Sequence, residues 1–353
     1  MVDEPWLGRL AGYGLAGAPP LGEMSSTIDE ALGAVRSHKL IGVLAAAVAD
    51  ETLRVDEDDR ARIARAHDAA MRESLLLEEM LLRAIAVLDD AGVDHRVLKG
   101  AALAHLVHPD PCERSFGDND ILLRPADVDR GVTALVDAGA IRPVPPLSAS
   151  FDRRFAKSVT LRWHGPTELD VHRTLAAGPY GHLVVLPDLV GEPVVFELAG
   201  TALRTLPPLL HLVHGAIHVA LGDVEPRLGN VRDLALLAAR PDIDVDAVVT
   251  RATAWGCAAP VALGLQATRA LGHDRSAIES WADAYVIDAT DRRRLAAYAD
   301  RSGRFRRQAL ASWRELSWAE RPAFARALLV PSAANRAARG RAGRRRPARR
   351  RSG

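Results

Sequence analysis

One short stretch of the chain spaces its acids for joint work: Arg114-Ser115-Phe116-Gly117-Asp118-Asn119-Asp120-Ile121-Leu122-Leu123-Arg124. In an extended strand residues two apart share a face, so Asp118 and Asp120 project together. Two carboxylates that close repel unless a cation lies between them. A hard ion such as Mg²⁺, bound by one or two carboxylates and by substrate phosphates, would relieve that repulsion. Read alone, an Asp-x-Asp pair also fits a solvated turn. Its neighbours favour the chemical reading. Upstream, Val97-Leu98-Lys99-Gly100 reads as a strand that runs into a glycine and a helix start, an arrangement that turns backbone N–H groups toward an anion. Downstream, Leu169-Asp170-Val171-His172 offers a third carboxylate, with His172 on its face of the strand. Arg114 is in reach of a phosphate, or pairs with Glu113 or Asp118; Lys99 is either a phosphate contact or a solvated lysine at a strand end.

The surrounding sequence says what must hold these groups in place. Residues 1–24, rich in Gly and Pro, read as a loose leader. Residues 25–91 read as an N-terminal helical lobe. A capping-box-like Ser26-to-Asp29 start opens it, and apolar residues at Met71, Leu75, Leu81, Leu82, Ile85 and Leu88 follow a helical repeat. From 92 to 206 the texture is α/β. Strands are expected over 94–98, 118–124, 158–163, 168–173, 194–198 and 203–206, with a hairpin turn at His164-Gly165-Pro166-Thr167 and a helix from Pro125 to Gly139. Residues 207–330 form a C-terminal helical region rich in Ala, Leu and Arg, and 331–353 an Arg-rich tail expected to be disordered.

Composition narrows the function further. The net charge of +1 hides a tail with nine arginines from Arg336 onward; without them 37 basic residues face 45 acidic ones, a formal charge of −8. An acidic folded part disfavours a broad nucleic-acid-binding face, while the tail would attract polyanions nonspecifically. Two cysteines, Cys112 and Cys257, make no disulfide framework and point to a reducing cytoplasm. Asp3 and Glu4 stand where a signal peptide would be basic. The longest apolar run, 41–49, is far short of the roughly 20 residues a membrane helix needs. His211, His214 and His218 share a helix face, but Gly215 stands where a zinc protease motif has Glu, so they read as packed histidines.

Taken as a set, Leu98-Lys99-Gly100 through His108-Pro109-Asp110-Pro111 to Gly117-Asp118-Asn119-Asp120, then Leu169-Asp170-Val171-His172, His211 to His218, and Arg227 with Arg232-Asp233, resembles an uncharacterised nucleotidyltransferase-like family of the polymerase-beta superfamily. The resemblance spans roughly 35–330 and is strongest over 90–235. It implies an α+β fold: a small mixed-sheet nucleotidyltransferase core flanked by N-terminal and C-terminal helical regions. It further implies that Asp118 and Asp120 bind Mg²⁺ or Mn²⁺, as two ions, with Asp170 as third carboxylate near the attacking hydroxyl. Lys99, Gly100 and Arg114 would bind the nucleotide, and His172 would line the cleft. The chain departs from the wider superfamily at Lys99-Gly100, where Gly-Ser or Gly-Gly is usual. The interval from Gly100 to Asp118 is long, and Asn119 stands where an apolar residue is preferred. The expected activity is transfer of a nucleoside monophosphate from an NTP to a hydroxyl on an acceptor: small molecule, peptide or protein. The alternative is a non-catalytic member that binds a nucleotide or a partner.

Overall fold

The computed structural model describes residues 4–344 apart from 25, 164–166, 185, 187–188, 190, 224 and 300–302. Six strands form one mixed sheet: β1 (His95–Leu98), β2 (Asp118–Leu123), β3 (Ser158–Arg162), β4 (Glu168–His172), β5 (Val194–Leu198) and β6 (Thr201–Thr205), in the order β3-β4-β2-β1-β6-β5. β2 runs antiparallel to β1 and parallel to β4, with Asp120 directly opposite Asp170 and also paired with Leu98. The turn expected at 164–167 falls mostly outside the described residues.

Side chains of β2 alternate between two apolar cores. Ile121 and Leu123 pack with Leu77, Leu81, Ile85 and Leu88 of a 34-residue helix that enters one face of the sheet. Leu122 and Leu98 belong to the other core, built with Leu212, Val213, Leu234 and Leu265 of the C-terminal helices. Asp118 and Asp120 share Leu122's side of the pleat, and therefore meet those C-terminal helices, Pro208–Leu221 and Leu228–Ala238. The lobe before the sheet consists of α1 (Glu4–Gly12), α2 (Ile28–Ser37), α3 (Ile41–Ala49) and α4 (Glu57–Asp90); α5 (Gly100–Leu106) and α6 (Val128–Asp137) follow β1 and β2. The cap of α2 is Thr27 with Glu30, one residue on from the expected start. On α4 the expected stripe holds at Leu81, Ile85 and Leu88, whereas Leu75 is exposed.

Both ends of the chain differ from expectation. Within the supposed leader, α1 buries Trp6, Leu7 and Leu10 against the helix Leu228–Ala238 and the turn at Thr268–Leu271. Its glycines serve close approach rather than looseness: a side chain at Gly8 would run into the Ala270 carbonyl, and one at Gly12 into that of Leu271. At the other end, Ser332 Oγ accepts the Asn335 N–H and so caps a helix over Ala333–Arg344. The Asn335 side chain, 1% exposed, donates to the Pro145 carbonyl at 2.6 Å. The two polar side chains anchor the start of the tail without any apolar pattern; residues 345–353 lie outside the described ones.

Asn119 also has a structural explanation. It lies on the α4 side of β2, 1% exposed, and its Nδ2 donates to the Leu77 carbonyl at 2.7 Å, which joins strand and helix by a hydrogen bond where an apolar contact was expected.

Two histidines, His211 buried and His182 half-buried, make the fold acid-sensitive. Burial, reinforced by Arg173, pushes His182 down to about 4; burial, reinforced by Arg114, pushes His211 down to about 3. The unfolded chain takes up these protons near the ordinary histidine value and the native state does not, so their stabilising effect is full above about pH 6.5 and is lost as pH falls toward those depressed values. Between pH 6.5 and 5, where most carboxylates remain ionised, each should remove about 1 kcal/mol per pH unit. Urea midpoints measured at pH 7, 6 and 5 should fall in step; a flat profile would show that these rings are not held neutral.

Candidate active site

The register of β2 and β4 brings the acids together. Asp120 and Asp170 are cross-strand partners in a parallel pair, and the ligand-capable atoms of Asp120, Asp170 and His172 all lie within 4.8 Å of one another. Asp120 is 4% exposed; its Oδ1 accepts from His172 Nε2 at 2.5 Å and its Oδ2 pairs with Lys99 Nζ at 3.0 Å. Burial alone would raise its pKa, but Lys99 and His172 outweigh burial and hold the carboxyl well below the usual range. Asp170 is half-buried and accepts the Thr160 hydroxyl at 2.5 Å from β3. Asp118 stands two residues before Asp120 at the strand's entry, half-buried, and is not in the three-residue cluster. His172, expected to line the cleft, is instead fully buried. It orients Asp120, while its Nδ1 lies 3.3 Å from the Thr174 carbonyl.

Lys99 forms the junction between β1 and α5. Its backbone adopts φ +43° and ψ −131°, a region that glycine favours and that costs a bulky residue about 1–3 kcal/mol. The Leu103 N–H to Lys99 carbonyl bond and the Asp120 pair hold it there. α5 has seven residues, and Lys99 and Gly100 at its start both line the pocket at the acids.

Arg114 lines the pocket at Asp118 and Asp120 and has a partner that local sequence did not reveal. Its Nε and Nη2 grip both oxygens of Asp233 at 2.7–3.0 Å, and Nη1 donates to the Gly100 carbonyl at 2.8 Å. His108 Nε2 reaches the same carboxylate at 2.8 Å, and Arg232 pairs with Glu113 at 2.9 Å. Burial would raise the Asp233 pKa; Arg114 and His108 more than reverse that and keep it far below the carboxylate range. Paired with Asp233, Arg114 also holds the Gly100 turn through Nη1.

Around Asp118 and Asp120 is a pocket of about 170 Å³ whose cations are Lys39, Lys99, Arg114 and Arg227, with His218 and Asn230 on its wall and Asp223 3.7 Å from Arg227. Lys39, at the α2–α3 turn, has its ammonium pKa lowered by burial and by Arg114, Arg227 and Lys99, partly offset by Asp118. Lys157, just before β3, is likewise lowered by burial and by Lys99, against Asp120, Asp170 and Asp118. Sequence reasoning missed Lys39 and Lys157. Lys39 carries no motif. Lys157 has one usable signal, its place immediately ahead of the strand that pairs with Asp170's strand. Arg227 and His218 sat within the resembling blocks without an assigned role. The three helix histidines form no ligand cluster among the described residues. His211 meets Thr205 Oγ1 at 2.8 Å, and His218 is held well below the histidine range by Lys99 and then by burial.

The donor set suits a hard divalent ion: two carboxylates converge with an imidazole beside them, and the buried Asp120 already needs a cation, which Lys99 supplies. The model of an uncharacterised nucleotidyltransferase family matches residues 25–273. The chain belongs to that family. As a family member it carries the α+β architecture with a mixed sheet expected from its motifs. Among solved structures this family member is similar to an antigenic nucleotidyltransferase-like protein from Paracoccidioides brasiliensis, at 15% identity and a TM-score of 0.32, over 58% of this chain and 95% of that one. No curated protein matches the chain.

Proposed function

We propose that the protein is a metal-dependent nucleotidyltransferase that moves a nucleoside monophosphate from an NTP to an acceptor hydroxyl, with residues 92–206 as its catalytic core. The observation that carries this reading is the ionised Asp120 facing Asp170 across β2 and β4, with Lys39, Lys99 and Arg227 around the adjoining pocket. In this reading Asp118, Asp120 and Asp170 hold Mg²⁺ or Mn²⁺, as two ions. When bound, the metal would polarise the phosphoryl group and offset charge on attacking and leaving oxygens. The chain's own groups do the rest. Asp170, oriented by Thr160, accepts the proton of the acceptor hydroxyl. A bond forms from that oxygen to the α-phosphorus; the bond from phosphorus to the bridging oxygen breaks, and pyrophosphate leaves with the electron pair. Lys39, Lys99 and Arg227 offset its charge. His172 keeps Asp120 aimed into the site.

A second reading, nucleotide or partner binding without transfer, draws on Lys99: its ammonium already satisfies Asp120 at 3.0 Å, beside a Lys-Gly turn where Gly-Ser or Gly-Gly is usual. Calorimetry separates the metal site from simple binding. Wild type should bind an NTP at least about tenfold tighter with Mg²⁺ than without it, and the Asp118→Asn, Asp120→Asn double variant should lose that difference. Equal affinities in both proteins, with and without metal, would remove these acids from metal binding. Incubating the protein with each labelled NTP, Mg²⁺ and a cell lysate as acceptor pool tests the transfer itself; label on a discrete species is the expected result, and none with any nucleotide favours the binding reading. No helix among the described residues is long and apolar enough to cross a membrane. We assign the protein to the cytoplasm on its two unpaired cysteines, and nonspecific polyanion contact to the Arg-rich tail.

A further inference from the structure

A second cavity, of about 240 Å³, continues past His218, which contributes to its wall and to that of the acid pocket alike. Lys157, Tyr298, Arg304 and Gln308 line it. It lies on the Asp170 side of the site. The Lys157 carbonyl accepts the Arg173 N–H at 2.9 Å just beyond β4, Ser158 pairs with His172, and Thr160 pairs with Asp170. The Gly100 turn, Lys39 and Arg227 are all on the other pocket.

The lining of this cavity carries two cations, Lys157 and Arg304, and no carboxylate among the described residues. The Lys157 ammonium makes no ion pair or side-chain hydrogen bond among the described residues. Arg304 donates to the carbonyls of Gly222, at 2.8 Å, and Leu221, and lies 5.6 Å from the Tyr298 ring centre, with no carboxylate partner among the described residues. Asp120 is already shared by Lys99 and His172. Two cations thus border a small space whose Lys157 leads directly into β3, the strand paired with that of Asp170. The acids that act on Lys157 lie outside this lining, so an anion in the cavity would meet both cations directly.

We infer that this cavity is the acceptor subsite, and that the acceptor is a small hydroxylated anion, its phosphate or carboxylate held by Lys157 and Arg304 while its hydroxyl points toward Asp170. The inference rests on the nucleotidyl-transfer reading and deepens it. The size fits: ligand sites usually run from about 300 to 1,000 Å³, so this one suits a hydroxy acid or a sugar phosphate rather than a polymer chain. The transfer would join the hydroxyl oxygen to the α-phosphorus and leave the acceptor's own anionic group unchanged.

The test uses the full chain with Mg²⁺ and whichever of the four α,β-methylene nucleoside triphosphates binds tightest. Glycerol 3-phosphate, glycerate and glycerol are then titrated in by calorimetry. At least one anion should bind about tenfold or more tighter than glycerol, the discrimination expected of a charge-assisted contact. Lys157→Gln should remove most of that preference, Lys157→Arg should keep it, and nucleotide affinity should stay within about twofold of wild type in both. Anions binding no better than glycerol would overturn the inference. So would a Lys157→Gln variant that loses nucleotide affinity as fully as anion affinity, since Lys157 would then serve the triphosphate. If wild type binds none of the four triphosphates, the nucleotidyl-transfer reading fails and takes the subsite with it. Nucleotide binding without anion preference sinks the subsite alone.

Discussion

Asp233→Ala should cost the fold about 3–5 kcal/mol, the usual penalty for removing one partner of a buried ion pair. Arg114 donates three hydrogen bonds to the two oxygens of Asp233, and His108, from the same connection between α5 and β2, adds a fourth contact; all three side chains are buried. Without the carboxylate, a guanidinium that water cannot reach is left uncompensated. The same arginine holds the Gly100 carbonyl, so the damage should extend to the strained turn at Lys99 and to nucleotide affinity. Denaturant unfolding of wild type and variant gives the number. A loss below about 1 kcal/mol would mean that Asp233 behaves as an exposed surface charge and that Arg114 is free to serve a phosphate. The Arg114→Leu, Asp233→Leu pair should be much milder than either single truncation, because no lone charge remains.

Asp170→Asn should have the largest effect on chemistry with the least on structure. Asparagine keeps an oxygen that the Thr160 hydroxyl can donate to, so β3 and β4 should stay joined as they are. It cannot take a proton. Nucleotide binding and thermal stability should therefore remain near wild type while transfer falls at least about a hundredfold, the lower end of general-base contributions. Thr160→Val should give a smaller loss that appears in turnover rather than in nucleotide affinity, as expected of a residue that only aims the base. Undiminished transfer by Asp170→Asn would take this carboxylate out of the mechanism.

What the sequence disclosed follows from the range of the interactions involved. Alternation along β2 and β4 is local, so the shared face of Asp118 and Asp120 and the stranded setting of Asp170 were readable. The register that sets Asp170 against Asp120 joins segments 50 residues apart, and only the family resemblance suggested it. The Asp233 partner of Arg114 was not legible because it lies 119 residues away, and no local pattern links them. Lys39 and Lys157 were missed for the same reason: a lone lysine in a turn carries no period, and folding alone reveals that it faces a carboxylate. The two ends misled in another way. Gly-rich composition at α1 masked close helix packing, and arginine density in the tail hid the Ser332 and Asn335 anchors.

Asn119 carries a consequence for how this strand can change over time. Because successive β2 residues serve different cores, inserting or deleting one residue between Gly117 and Asp120 would turn carboxylates toward Leu77 and Leu81 and carry Ile121 out to the polar side. The bond from Asn119 to the Leu77 carbonyl marks the correct alignment with a polar contact that a slipped strand would leave unmade. Length changes within 117–123 should thus be eliminated even in descendants that have lost activity. In the connection before it, insertions should be tolerated only at the exposed positions 109–111, since His108, Glu113 and Arg114 are tied to Asp233 and Arg232. A library of single-residue insertions scored only for soluble expression would draw that boundary without any assay for catalysis.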